Sequence, residues 1–174
     1  MDIQALFGLS VLMSFVAFGL VTMLSIWPRL RIMERDDALV ALVLPHTFRF
    51  VGLSFLVPGV VSPSLPAAFA APAAYGDLVA ALLAGAAALA LSRRASWATW
   101  LVWLFNLWGT ADFLFAFYQG QFGVQMDASM LGAAFFIPTV AVPPLFIMHG
   151  LIFWLLVRRV SPPPRSGEEE QKRG

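Results

Sequence analysis

The sequence predicts an all-α fold, a bundle of five transmembrane helices, from its composition and from the arrangement of its apolar residues. Hydrophobic residues make up 60% of the 174 residues and charged residues only 12%, whereas soluble domains carry about 45–50% apolar and about 25% charged residues. The apolar residues are concentrated in five runs, and crossing a hydrocarbon core takes about 20 helical residues. One transmembrane domain over residues 1–160 accounts for this pattern.

The first two predicted helices cover residues 3–27 and 38–60 and are joined by a charged loop. No basic residue precedes the first run and no small-residue cleavage site follows it, so we predict a retained helix and not a signal peptide. The loop over residues 28–37 holds three arginines and three acidic residues. Pro45 interrupts the second run.

The third and fourth predicted helices cover residues 76–91 and 97–118, with a short basic loop between them. A turn-rich segment over residues 62–75 precedes the third helix, and we interpret it as an interfacial loop on the outer face, either without regular structure or with a short helix. Asp77 is placed to N-cap the third helix as a polar residue of the outer face. Small residues recur at every fourth position of this helix, which lets another helix approach closely: Gly76, Ala80, Ala84 and Ala88.

The fifth predicted helix covers residues 130–158 and follows a turn-rich loop over residues 119–129. It contains three prolines, and each removes a backbone donor and frees a carbonyl one turn earlier: Pro138, Pro143 and Pro144. The tail over residues 161–174 is polar and has no hydrophobic periodicity, so we predict that it is disordered and cytoplasmic.

The basic residues predict how the bundle is oriented. Of the 11 lysines and arginines, Arg49 lies inside a helix, and the others lie in the first loop, the third loop and the C-terminal region. Positive charge marks the cytoplasmic side of a membrane protein. We therefore predict that the N-terminus is outside and the C-terminus is in the cytoplasm, in the inner (plasma) membrane.

Four ionisable residues and one polar companion deep inside the predicted spans are the candidate site residues, because a charge costs about 2.5–3.5 kcal/mol at a helix centre. His46 and Arg49 belong to the second helix, Asn106 and Asp112 to the fourth, and His149 to the fifth. A rise of about 1.5 Å per residue places both histidines and the asparagine at one depth, with the arginine and the aspartate deeper. We predict a polar layer in the bundle core at these positions.

Three hypotheses for this layer remain open. The favoured one is non-enzymatic binding or transport of a small molecule, because broken helices beside intramembrane charges form transporter sites, and Arg49 would then favour an anionic group. The second is a redox subunit with b-type haem ligated by His46 and His149. The third is a structural or assembly subunit, in which Arg49 pairs with Asp112 or Asp77.

Other functions find no support in the residues. The chain has no cysteine, which excludes disulfides and thiolate metal sites. Neither a nucleophile elbow nor a phosphate-binding loop occurs, so conventional enzyme chemistry is not indicated and no metal site is predicted. The dispersed basic residues predict no nucleic-acid partner. The expected partners are the lipid bilayer and a second copy or another membrane subunit, and haem is the single cofactor considered.

Four segments carry a resemblance to a known group of proteins. They are HTFRFVGLSFL from His46, LPAAFAAPAAYGD from Leu65, NLWGTAD from Asn106, and VPP from Val142 followed by His149. Together these segments, within residues 46–150, resemble a group of small, uncharacterised bacterial polytopic membrane proteins. The resemblance implies a bacterial inner-membrane setting and implies nothing about mechanism.

Overall fold

The computed structural model describes residues 2–158, which are helical throughout apart from short connections. Within residues 2–158, five helices are long and apolar enough to cross a membrane, and they are α1 (Ile3–Leu30), α2 (Arg35–Leu56), α3 (Ala67–Ser92), α4 (Ala98–Gly123) and α5 (Ile137–Val157). A short 3₁₀-helix, Ala128–Phe135, precedes α5. The predicted all-helical fold with five membrane-length helices is confirmed. The tail predicted to be disordered, residues 161–174, lies outside the described residues.

The start of α3 differs from the prediction, because the helix begins at Ala67 within the stretch interpreted as a loop. Pro72 lies inside the helix and has no N–H, so it leaves the carbonyl of Ala68 without its helical donor. The side-chain amide of Gln119 on α4 donates to that carbonyl at 3.4 Å. The helix therefore continues through the proline, and Asp77 lies inside it and does not cap it.

The segment before α5 also differs from the predicted single helix over residues 130–158. Gly132 adopts a φ of 51° and a ψ of −131°, which kinks the 3₁₀-helix Ala128–Phe135 in its middle, before α5 begins. A Cβ at this position would collide with the carbonyl oxygen of Val60 in the second loop. That same carbonyl accepts the N–H of Ala133 at 2.8 Å. The connections between successive membrane-length helices, numbered in chain order, are residues 31–34, 57–66, 93–97 and 124–136. The second and fourth connections are thus joined through their backbones, and this contact requires a glycine at position 132.

The second half of α2, Leu44–Leu56, winds as a 3₁₀-helix. A 3₁₀-helix has three residues per turn, so side chains three positions apart lie in one line along its axis. The buried residues of this segment have that spacing: His46, Arg49, Gly52 and Phe55. The winding therefore turns all four toward the bundle interior, where an α-helix would spread them around its surface.

The helices contribute unequally to the buried core. The 3₁₀ half of α2 packs extensively against α3, and α3 packs against α4. The predicted small-residue face of α3 is confirmed, since Gly76, Ala80, Ala84 and Ala88 are all buried there. By contrast, no residue of Ile3–Val21 in α1 is buried, and this helix packs mainly on α5 and the segments before it.

Candidate functional site

Arg49 is the centre of a buried polar cluster at which α2, α3, α4 and α5 meet. Its Nε donates to Oδ1 of Asp77 at 2.7 Å, and its Nη2 donates to Oδ2 of Asp112 at 2.6 Å. Its Nη1 donates to the carbonyl of Gly109 at 3.2 Å. The guanidinium carbon lies 3.6 Å from the centroid of the Phe113 ring. One guanidinium therefore holds two carboxylates from two different helices.

His149 is the residue of the cluster that α5 contributes, and its hydrogen bonds determine which ring nitrogen carries the hydrogen. Its Nε2 lies 3.3 Å from Nη1 of Arg49, and because a guanidinium only donates hydrogen bonds, Nε2 must be the acceptor. The ring hydrogen is then on Nδ1, which donates to Oδ1 of Asn106 at 2.6 Å. The amide nitrogen of Asn106 donates to the backbone carbonyl of His149 at 3.3 Å. The imidazole is therefore neutral, and it ties α5 to α4.

His46 reaches the cluster through ring contact alone. Its ring centroid lies 4.3 Å from that of His149 and 5.0 Å from that of Phe105. The side chain is buried, and neither ring nitrogen has a hydrogen-bond partner among the described residues. The structure thus brings the five sequence-predicted residues of the polar layer together. Of these five, His46 is the one that makes no side-chain hydrogen bond among the described residues.

Asp77 has a different position from the one the sequence predicts. We predicted it as a helix cap on the outer face, whereas it is 7% exposed and bonded to Arg49. The prediction was wrong because α3 begins at Ala67 and not at residue 76, so this aspartate lies inside the helix and not at its start. The sequence did allow Asp77 as one of two partners for Arg49, and the structure contains both pairs.

Three glycines make room for the charged side chains, and sequence reasoning did not identify them as part of the site. A Cβ on Gly52 would overlap the carboxylate of Asp77, and a Cβ on Gly76 would overlap the carboxylate of Asp112. A Cβ on Gly109 would collide with the histidine and the arginine of the cluster. Each ionic side chain therefore rests on the backbone of a neighbouring helix. The sequence did contain one sign of this role, because each glycine is either adjacent to a charged or polar residue of the site or three positions from one.

A cavity of about 360 Å³ adjoins the cluster on the side of the second and fourth connections. It occupies the space between α1 and the α3–α4 pair, and Asp77 and Asp112 form part of its wall. The remaining lining is apolar apart from Gln121, and it includes seven phenylalanines from all five helices: Phe7, Phe15, Phe55, Phe69, Phe113, Phe117 and Phe146. The cavity is thus an apolar chamber with two carboxyl groups at one place in its wall.

The fold and this cluster define a multi-pass helical membrane protein with an ionic core. Over residues 6–157 the chain matches the family model described as a domain of unknown function, DUF8737, and it belongs to that family. The matched residues include the whole cluster and nearly all of the five helices. Comparison with curated proteins and with solved structures found no match.

Proposed function

We propose that this protein binds a small molecule in the aromatic cavity, in binding or transport and not in catalysis, with the Asp77–Arg49–Asp112 cluster as the polar end of the site. One observation carries the proposal: a cavity of about 360 Å³ ends on a buried ionic cluster. Ligand sites are concave, largely apolar and of about 300–1,000 Å³, with a few polar groups that orient the ligand. A bundle that needed the ion pairs for stability alone has no need of a chamber beside them.

Binding is tested with two probes of the same shape in lipid nanodiscs, the cation benzyltrimethylammonium and its neutral isostere neopentylbenzene. We expect at least one probe to raise the melting temperature, because a ligand that binds the folded state alone stabilises it. The six tryptophans report the transition by fluorescence. Ala116→Phe fills the cavity and should abolish the shift, whereas Ala111→Phe on the exposed face of the same helix should retain it. If neither probe shifts the wild type, the proposed function is wrong.

We further propose that the protein lies in the inner membrane with its N-terminus outside and its C-terminus in the cytoplasm. Arg94 in the third connection donates to Glu34 in the first at 3.0 Å, so the two basic connections lie together. The cavity then opens in the outer half of the membrane. Because the chain has no cysteine, Ser64→Cys and Ser96→Cys are clean probes. An impermeant maleimide should label Ser64→Cys in intact cells and Ser96→Cys after permeabilisation alone, and the reverse pattern would invert the orientation.

A b-type haem between His46 and His149 is the second candidate of the sequence, and the residues present do not fit it. A macrocycle must lie between its two axial imidazoles, yet these rings are in contact at 4.3 Å between centroids. Both nitrogens of His149 are also occupied, by Arg49 and Asn106. A reduced-minus-oxidised absorption spectrum of the purified protein tests the point, and a Soret band lost in His149→Ala would restore the haem hypothesis.

A structural or assembly role is the third candidate, in which the cluster ties helices within one subunit or a complex. Membrane helices do use polar side chains in this way, at about 0.6 kcal/mol for an average pair. This role makes a distinct prediction: the protein copurifies with a second copy or another membrane subunit, and no small molecule changes its melting temperature.

A further inference from the structure

We infer that the cavity takes an organic cation, and that the cation exchanges with one proton held by the Asp77–Asp112 pair. This inference rests on the proposed function and names the ligand class for the same site. It follows from the charge of the cluster, from the groups that face the cavity, and from the aromatic lining.

The cluster holds one more acidic group than basic groups. Arg49 on α2 carries one positive charge, while Asp77 on α3 and Asp112 on α4 bring two carboxyl groups. His149 on α5 is neutral by its hydrogen bonds, and His46 on α2 contacts that ring and not the cavity. With both carboxyls ionised, one negative charge stays unbalanced inside the membrane, which is costly. A proton on the pair or a cation beside it removes that charge.

The two aspartates belong to the cavity lining, whereas Arg49 does not. All three nitrogens of Arg49 are engaged with Asp77, Asp112, His149 and a backbone carbonyl. By contrast, Oδ2 of Asp77 and Oδ1 of Asp112 take part in no hydrogen bond among the described residues and lie against the backbones of Gly52 and Gly76. A ligand in the cavity is therefore next to the two aspartates and not to the guanidinium. The expectation of an anionic ligand, drawn from the arginine alone, is replaced by that of a cationic one.

The phenylalanine lining favours the same class of ligand. The face of an aromatic ring carries negative potential, and cages of such rings bind quaternary ammonium groups. Of the α1 side chains that line the cavity, Phe7, Val11 and Phe15, none is charged. The two aspartates are thus the charged groups of the lining among the described residues. A compact cation with apolar substituents matches both the rings and the carboxyl pair.

Exchange of the cation for a proton follows from the presence of two carboxyl groups and one arginine in the cluster. When no cation is bound, one carboxyl of the pair keeps its proton. When a cation binds, that O–H bond breaks, the proton leaves to solvent, and the carboxylate neutralises the cation. The net charge of the occupied membrane site is the same in both states. Cation affinity should therefore rise with pH, by up to about tenfold per pH unit over the range in which the pair holds the proton.

The test compares benzyltrimethylammonium with neopentylbenzene, because the two probes share a shape and differ by one charge. In nanodiscs at pH 8 we expect the cation to bind at least about tenfold more tightly, as one opposite charge close by stabilises the bound ion. Calorimetry in two buffers of different ionisation enthalpy should count about one proton released per cation. Asp112→Asn leaves one arginine with one carboxylate, so it should lower the ratio of cation to neutral affinity and the proton count together.

Each failure has a distinct signature. Equal binding of the two probes, or cation binding independent of pH with no proton released, would overturn the inference while the proposed function stands. Absence of binding by either probe overturns the proposed function itself. The pH dependence is measured on the wild-type protein, so the test does not depend on whether Asp112→Asn folds.

Discussion

The halves of the bundle on either side of Arg49 are built from different side chains. Toward the first and third connections, the helices of the core meet through alanines of α3 and through fully buried residues such as Leu39, Val102 and Ile152. Toward the second and fourth connections, a second buried cluster that includes Phe55 and Phe69 lies beside the cavity, and seven phenylalanines line that cavity. Small side chains let helices close on one another, whereas the larger rings of this half surround the cavity. Both halves therefore have a buried core, and one of them also contains space.

The largest effect should come from the residue that joins the two halves. Arg49→Gln leaves two carboxyl groups without their cation, and removing one partner of a buried ion pair costs about 3–5 kcal/mol. The free energy of unfolding, measured in mixed micelles, should fall by this amount. Arg94→Gln removes an exposed pair with Glu34 and should leave the unfolding free energy unchanged. Equal effects of the two substitutions would show that the cluster does not hold the halves together.

The same substitution made in each half tests the comparison directly. Ala84→Phe places a ring among fully buried residues of the alanine-rich half and should destabilise the bundle by about 3 kcal/mol, at the upper end of overpacking. Ala116→Phe places it at the cavity, where the volume exists, and should change the unfolding free energy little. If both substitutions are equally disruptive, the cavity is closed in the membrane.

The glycines of α3 offer a smaller and more local test. Gly76→Ala puts a methyl group where the Asp112 carboxylate lies, and we expect a loss of about 1–3 kcal/mol. At Gly85 in the same helix, a Cβ would meet only Thr47 Cγ2 at 3.9 Å. Gly85→Ala should therefore be neutral or stabilising by up to about 1 kcal/mol, since alanine favours helices. A stable Gly76→Ala protein would mean that the carboxylate can move away without cost.

The smallest difference is expected between the two histidines at the boundary of the halves. His149→Leu leaves Oδ1 of Asn106 without its donor and removes one of the two acceptors of Arg49 Nη1, so it should cost about 1–2 kcal/mol. His46→Leu removes two ring nitrogens that are unpaired among the described residues, so the unfolding free energy should stay level or rise. A loss on His46→Leu as large as on His149→Leu would point to a polar partner of His46 that protein groups do not supply.

The sequence predicts the general architecture well because membrane length and buried charge leave strong local signals. Five apolar runs correspond to five helices, and counting residues from the helix ends placed His46, Asn106 and His149 at one depth. The structure does bring these three side chains together with Arg49. Depth along an α-helix is readable from one chain, because an α-helix rises by about 1.5 Å per residue, and His46 lies near the start of the 3₁₀ segment, before the different rise has accumulated.

What the sequence does not reveal depends on contacts between distant segments. The turn signals before residue 76 are real, yet the amide of Gln119, far along the chain, makes Pro72 acceptable within a helix. The role of Asp77 was misjudged as a consequence. Sequence periodicity also did not indicate the 3₁₀ winding of Leu44–Leu56 or the volume left between α1 and α4. Both are properties of packing and not of local composition.

The 3₁₀ winding of Leu44–Leu56 also affects how α2 spans the membrane. A 3₁₀-helix rises by about 2.0 Å per residue and an α-helix by about 1.5 Å, so these 13 residues are about 6 Å longer than they would be as an α-helix. Rewinding would shorten the helix and rotate each third side chain by about 60° relative to the one before. A change in the winding would therefore change the length of α2 and the alignment of His46, Arg49 and Phe55 together. A change in bilayer thickness that favoured a shorter α2 would also disturb this alignment.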